Sequence, residues 1–279
     1  GATLTNDNVI TGGNGGDAGA GGFQQGGGGG SGVAGDGLTI FNNGGIIGGN
    51  GGVASGVNSI VGAGGTGIAG ANLTVVDTST IAGGTAGDGQ TIANAITFTG
   101  GTNSLTLDDG FIITGVVYAR GTSHLLIGGD TSPPAFDVGA IGNSAQFQGF
   151  TAFQKTGNST WTLTGTTTAV TPWTISSGIL VVSSAGALGN GSTTTVTPGG
   201  SLNLNNVSVS NPLSLSGSGT AFIGALTGTG TSTASGPILL PGFAAIGVAN
   251  AADTLTLSGQ ITGAEPFQKL GAGTLVLSG

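Results

Sequence analysis

Apolar and polar residues alternate in short runs along most of this chain. Ile92-Ala93-Asn94-Ala95-Ile96-Thr97-Phe98-Thr99 is one such run. Leu105-Thr106-Leu107, Leu202-Asn203-Leu204-Asn205, Leu213-Ser214-Leu215-Ser216 and Leu255-Thr256-Leu257-Ser258 are others. A period of two sends alternate side chains to opposite faces, so each run predicts a strand with one apolar side. Asn-Gly, Gly-Gly, Pro-Gly and Asp-Gly pairs separate the runs and supply the positive φ of tight turns. No window shows the 3.6-residue period of an amphipathic helix.

The strands recur too often for a single sheet. Val9-Ile10-Thr11-Gly12-Gly13-Asn14-Gly15-Gly16 returns as Ile46-Ile47-Gly48-Gly49-Asn50-Gly51-Gly52 and again as Thr80-Ile81-Ala82-Gly83-Gly84-Thr85-Ala86-Gly87. The Gly pairs lie 36 and 35 positions apart. A second echo sets Ala34–Ile40 against Ala86–Ile92, 52 positions apart. Both spacings are near multiples of about 17, which predicts coils of that length in a stacked repeat architecture. Coils of about 17–20 residues give roughly 14–16 coils, a rod roughly 65–80 Å long at the usual strand spacing. Three stretches are predicted within one continuous domain: a Gly-rich segment over 1–90, a solenoid over 91–152 with a loop or insertion near 108–137, and a solenoid over 153–279.

The clearest repeat is a thirteen-residue frame. Phe153-Gln154-Lys155-Thr156-Gly157-Asn158-Ser159-Thr160-Trp161-Thr162-Leu163-Thr164-Gly165 matches Phe267-Gln268-Lys269-Leu270-Gly271-Ala272-Gly273-Thr274-Leu275-Val276-Leu277-Ser278-Gly279 as F-Q-K-x-G-x-x-T-x-x-L-x-G. Both lysines of the chain lie inside it. Phe153, Lys155, Gly157, Thr160, Leu163 and Gly165, with Phe267, Lys269, Gly271, Thr274, Leu277 and Gly279, are therefore read as structural positions. Leu163 and Leu277 should point inward. The frame resembles the passenger-associated repeat of Gram-negative autotransporters, K-x-G-x-G-T-L-x-L-x-G. The second block matches fully, while the first departs at Asn158-Ser159 and Trp161. Gly178-Ile179-Leu180-Val181-Val182 through Ala187-Leu188-Gly189 resembles the continuation common in the same passengers. The match covers residues 153–210 and 267–279. The resemblance implies an all-β, right-handed parallel β-helix exported across two membranes to the bacterial surface, and it implies no activity.

Composition narrows the functions. Of 279 residues, 63 are Gly, none is Cys or Met, and only 5% are charged, against about 25% in an ordinary domain. With 37% hydrophobic residues, the chain does not fit the low-hydrophobicity, high-charge profile of disorder. Gly shows no strict period of three along the chain, which excludes collagen. The net charge is -8, with only three basic residues, so nucleic acid and anionic membranes are poor partners. No cysteines means no disulfide framework, in keeping with passage through a narrow pore. No run of 18 apolar residues and no N-terminal signal is present. The chain stops at Gly279, the last position of the second repeat, so it is expected to be a segment of a longer protein.

Residues 108–137 are chemically the richest stretch. Asp108, Asp109, Tyr118, Arg120, His124, Asp130 and Asp137 include the only Tyr, Arg and His. Pectin-cleaving β-helices combine acidic clusters, Ca²⁺ and a basic residue, which makes a polysaccharide-acting enzyme the alternative reading. Against it, adjacent Asp108 and Asp109 on a strand would point to opposite faces, and Pro133-Pro134 fits a loop. A Ser123–His124 nucleophile lacks the G-x-S-x-G elbow. Gly12-Gly13-Asn14-Gly15-Gly16-Asp17 opens like a Ca²⁺-binding nonapeptide, but has Gly19 where a large apolar residue is required. Thr166–Thr168, Thr193–Thr195 and Thr227 to Thr231 raise ice binding as a second alternative, although β-branched Thr also suits half-exposed strands. Asn72, Asn158, Asn190 and Asn206 head N-x-[ST] triplets, which an Asn- and Thr-rich chain produces by chance. Trp161 and Trp173 should fill the interior. The reading is a structural surface or secreted rod, adhesive or matrix-forming, with no catalytic residues, cofactor or metal. Its uncharged terminal strands should associate end to end or with neighbouring repeats; a host-surface or matrix ligand is a further partner.

Overall fold

A computed structural model describes residues 1–263 and 265–279. The chain is a parallel β-solenoid with 42% strand and 2% helix; among the described residues the helical part is two single 3₁₀ turns, Val138–Ala140 and Thr220–Phe222. It divides into two compact units: Gly1–Leu125 with Asn143–Phe150, and Leu126–Gly142 with Thr151–Gly279.

The first unit winds three parallel faces. The first contains Thr3–Asn6, Thr39–Asn42, Thr74–Asp77 and Thr102–Leu107. Leu4, Ile40, Val75 and Leu105 stack in register along it and point inward. Val9–Thr11, Gly45–Ile47, Thr80–Ala82 and Ile112–Thr114 make the second face. The third runs from Val33–Ala34 through Ile68–Gly70, Ile96–Phe98 and Val117–Ala119 to Phe147–Gln148. Ile40, Ile46, Ile68, Val75, Ile81, Ile96 and Phe98 are fully buried between them. Removing such side chains from water stabilises by about 1.5–3 kcal/mol each.

Register partners on the first face are 36, then 35, then 30 residues apart. The 36- and 35-residue Gly echoes are therefore single coils, not pairs of 17-residue coils, and the 52-residue echo matches no register. Coils of 35 and 36 residues are about twice the expected length, so the chain makes fewer than the 14–16 coils expected.

The extra length forms a second kind of structure. Between the second and third faces the chain runs out and back through residues 12–32, 48–67 and 83–95. Gly12, Gly15 and Ala18 donate to the carbonyls of Ile47, Asn50 and Val53, every third residue. Gly26, Gly29 and Gly32 donate in the same rhythm to Ile60, Ala63 and Thr66. Cross-bonds join outgoing to returning segments: Gly27 to Gly16, Gly30 to Gly13, Gly49 to Gly30, Gly52 to Gly27 and Gly65 to Gly49. Bonds to a neighbouring segment at every third residue match the three-residue turn of polyproline II, which forms no internal hydrogen bonds. The segments pack backbone against backbone. A Cβ at Gly49 would collide with the carbonyl of Gly13, and one at Gly52 with that of Gly16. Gly does fall at a local period of three here, as it does in collagen-like packing.

In the second unit, register partners lie 19 to 27 residues apart, as in Thr194 with Leu213 and Phe136 with Leu163. Ala152–Lys155, Trp173–Ile175, Thr194–Val196, Leu213–Leu215, Ile238–Leu239 and Ile261–Thr262 make one face. A second holds Phe136–Asp137, Thr160–Thr164, Gly178–Val182, Gly200–Asn205, Leu226–Thr229, Ala244–Val248 and Phe267–Leu270. Ser208–Val209, Thr231–Ala234, Thr254–Leu257 and Thr274–Leu277 make the third. Trp161, Leu180, Leu202, Leu226 and Ile246 form one buried file across the second face. Trp161 and Trp173 are both fully buried. The interruption expected near 108–137 falls later. Residues 112–127 are regular strands, and the irregular stretch is 128–150, which includes Pro133-Pro134 and the Val138–Ala140 turn.

Candidate functional site

The chemically rich stretch does not converge. Asp108 and Asp109 follow the Thr102–Leu107 strand at a corner, where the Asp108 N–H donates to the Asp77 carbonyl at 2.9 Å. Tyr118 lies on a third-face strand, and the Arg120 guanidinium stacks 5.4 Å from its ring centre, a cation–π contact. His124 lies on the Thr122–Ile127 strand. Ser123 beside it is fully buried and donates to the Arg120 carbonyl. Strand alternation puts the two side chains on opposite faces, which removes the nucleophile–base pair. In the second unit, Asp130 accepts from the Asn158 amide at 3.0 Å. Asp137 caps the 3₁₀ turn by accepting from the Gly139 N–H at 2.8 Å. Asp17, the acid of the calcium-like motif, accepts from the Val53 N–H inside the polyglycine layer. Among the described residues no three His, Cys, Asp or Glu side chains are grouped to hold a metal.

Two Asn residues of the N-x-[ST] triplets have a turn role. Asn72 and Asn206 adopt left-handed φ of 53° and 50°. Their side-chain oxygens accept from Thr102 and Thr231 on the next coil. The Thr groups form no uniform row. Thr174 and Thr195 stack between Gln154 and Ser214, and Thr227 and Thr229 accept from the Asn203 amide.

One polar feature went unread in the sequence. Asn6 donates to Asn42 at 2.8 Å, and Asn42 donates to Asp77 at 2.7 Å, one coil apart each time. The amides also donate to the Gly45 and Thr80 carbonyls. All three side chains are buried. Burial raises the Asp77 carboxyl to about 7, and the nearby Asp108 charge adds to the shift against the Asn42 and Ser79 hydrogen bonds. Its Oδ2 is buried with no hydrogen-bond partner. Asn6, Asn42 and Asp77 follow the same 36 and 35 spacing as the Gly echoes, which was the available signal.

The shared frame is a corner, used in two places. In the first block the chain passes from the first face, at Ala152–Lys155, to the second, at Thr160–Thr164. In the second block it passes from the second face, at Phe267–Leu270, to the third, at Thr274–Leu277. Gly157 and Gly271 make the turn at φ 65° and 80°. Lys155 is 0% exposed. Its Nζ donates to the Thr156 carbonyl, to Gly157 at 3.0 Å and to Ser177 at 3.3 Å. Lys269 repeats the contact to Gly271 on an exposed corner. Phe153 is buried against Trp173, ring centres 5.5 Å apart, while Phe267 is half-buried. Gly165 also turns at left-handed φ, 67°.

Leu163 is fully buried as expected, whereas Leu277 is 52% exposed. Leu277 nevertheless holds the inward register, paired with buried Leu257. Among the described residues it lies in the last strand of its face.

No family model, curated protein or solved structure matches this chain.

Proposed function

We propose that this chain is a structural rod segment of a secreted or cell-surface protein, of the autotransporter-passenger type, serving adhesion or an extracellular matrix. The observation that carries this reading is Lys155. One of two lysines in the chain, it is fully buried and donates to backbone carbonyls of its own corner and of the next coil. A residue type that ordinarily stays in water is used here to hold a corner, and the same frame returns at Lys269. The Asn6–Asn42–Asp77 ladder likewise uses polar side chains to join coils. The absence of cysteine and the sparse charge support export and display. The partners of this reading are further β-coils stacked on the Thr274–Leu277 strand, where Leu277 is half-exposed.

Two measurements test it. Antibody against this segment should label intact cells of the source bacterium. Purified protein should give no turnover on pectin and related polymers, with or without Ca²⁺. Robust turnover that is lost in Arg120→Ala or Asp130→Ala would overturn the structural reading in favour of an enzyme.

A further inference from the structure

The outer surface of the second face in the second unit carries one row of side chains per coil: Thr162, Val181, Asn203, Thr227, Gly247 and Leu270. At Gly247 the row lacks a side chain, and the backbone of another segment occupies the space. A Cβ at Gly247 would collide with the Ile223 carbonyl. Ile223 belongs to the ten-residue connection between Leu213–Leu215 and Leu226–Thr229, whereas the other connections from the first face to the second in this unit are two to four residues long.

The connection is pinned. Ser201 Oγ donates to the Gly224 carbonyl at 2.8 Å and accepts from the Thr220 N–H at 2.9 Å. Gly224 and Ile223 donate back to Ser218 and Thr220. Two consecutive non-glycine residues, Ala221 and Phe222, are held at left-handed φ of 47° and 58°. That backbone is unfavourable for L residues and persists where the surroundings fix it. Here it presents Phe222 at 80% exposure. The aromatic ring is therefore held in water by a fixed, strained turn rather than left on a loose loop.

Beside Phe222 lies a hollow of about 310 Å³ between this connection and the strands, at the small end of ligand pockets, which span about 300–1,000 Å³. Val248 and Leu270 contribute apolar wall, and Asn203, Thr227 and Thr229 contribute polar groups. The Asn203 amide donates to both Thr hydroxyls, at 2.8 and 3.1 Å, and fixes all three. Among the described residues no charged side chain lines the hollow.

We propose that this hollow binds one neutral pyranose ring. A pyranose has an apolar C–H face that stacks on an aromatic ring and a rim of neutral hydroxyls that pair with amide and hydroxyl groups. The hollow offers both, and its lack of charge gives an anionic or cationic ligand no counter-charge. Among the described residues no titratable group lines it, which favours binding over turnover. Failure of this reading would leave the scaffold reading standing, because that rests on Lys155 and the coil ladders.

Saturation-transfer difference NMR on the full 279-residue chain tests it, with D-glucose, D-galactose, D-mannose and N-acetyl-D-glucosamine at millimolar concentration as probes and cyclohexanol as the apolar control. At least one sugar should show transfer to its ring C–H protons, and cyclohexanol should show much less. Phe222→Ala, at an exposed position, should keep the circular dichroism spectrum and weaken sugar binding at least tenfold. Thr229→Ala should weaken it severalfold. No transfer to any of the four sugars, equal transfer to cyclohexanol, or unchanged binding in folded Phe222→Ala would each overturn the proposal.

Discussion

The ammonium of Lys155 lies 3.3 Å from the carbonyl oxygen of Ser177, 22 residues on along the chain. It also donates to Thr156 and Gly157, so one side chain ties the corner of one coil to the corner of the next. Lys155→Met keeps the length and leaves these partly buried carbonyls without their donor. Such losses cost about 1–3 kcal/mol, more where a charged group was involved. Lys269→Met, on the exposed second corner, should cost less than about 1 kcal/mol. Denaturant unfolding of the two variants measures the difference.

The same frame gives a second matched pair. Leu163→Asp buries an unpaired charge in the apolar file and should prevent folding or cost more than about 4 kcal/mol. Leu277→Asp, at a half-exposed position of equivalent register, should cost about 1 kcal/mol or less. Comparable losses at the two sites in thermal melts would contradict the assigned register.

In the polyglycine layer, Gly49→Ala places a methyl group against the Gly13 carbonyl, while Gly13→Ala meets nothing within 4 Å. The first should lower the melting temperature by ten degrees or more if it folds at all. The second should change it little, or raise it slightly through the less flexible unfolded chain. Equal effects would mean that the segments do not touch as described.

Asp77 sets a pH dependence. Its folded pKa of about 7 lies above the ordinary carboxyl value of 3.8, so the folded state holds a proton that the unfolded chain releases between these values. Stability from this group is complete below about pH 4 and falls as pH rises to about 7, by on the order of a few kcal/mol. Asp77→Asn continues the Asn6–Asn42 ladder with a neutral amide. It should remove this slope, raising the melting temperature at pH 8 and changing it little at pH 4. A wild-type protein no less stable at pH 8 than at pH 5 would show that Asp77 is not held protonated.

The strands were legible because their apolar side chains alternate. Leu202-Asn203-Leu204 and Leu163 have inward and outward positions as the pattern requires. Gly157 and Gly271 were legible as structural positions from the repeat; that they turn corners comes from the structure. What escaped was everything the backbone does without side chains. Gly12, Gly15, Gly26 and Gly29 carry no hydrophobic pattern, and a three-residue rhythm is hidden where Gly fills the positions between. A 36-residue spacing is therefore indistinguishable in sequence from two coils of about 17–18 residues, which hides the link between Asn6, Asn42 and Asp77. The grouping of Asp108, Arg120 and Asp137 was a nearness in sequence. Strand alternation and corners turn these side chains to separate local partners.

Coil length in the first unit is the central claim, because the polyglycine layer and the buried ladder both follow from it. Thr5 and Phe41 are exposed register partners on neighbouring strands, which lie about 4.8 Å apart in a sheet. In a chain without native cysteine, Thr5→Cys with Phe41→Cys should be bridged in high yield by mild oxidation or a short bis-maleimide. Thr5→Cys with Gly22→Cys, the pair that 17-residue coils would bring together, should not. Efficient bridging of 5 to 22, or none of 5 to 41 in folded protein, would contradict the 36-residue coil.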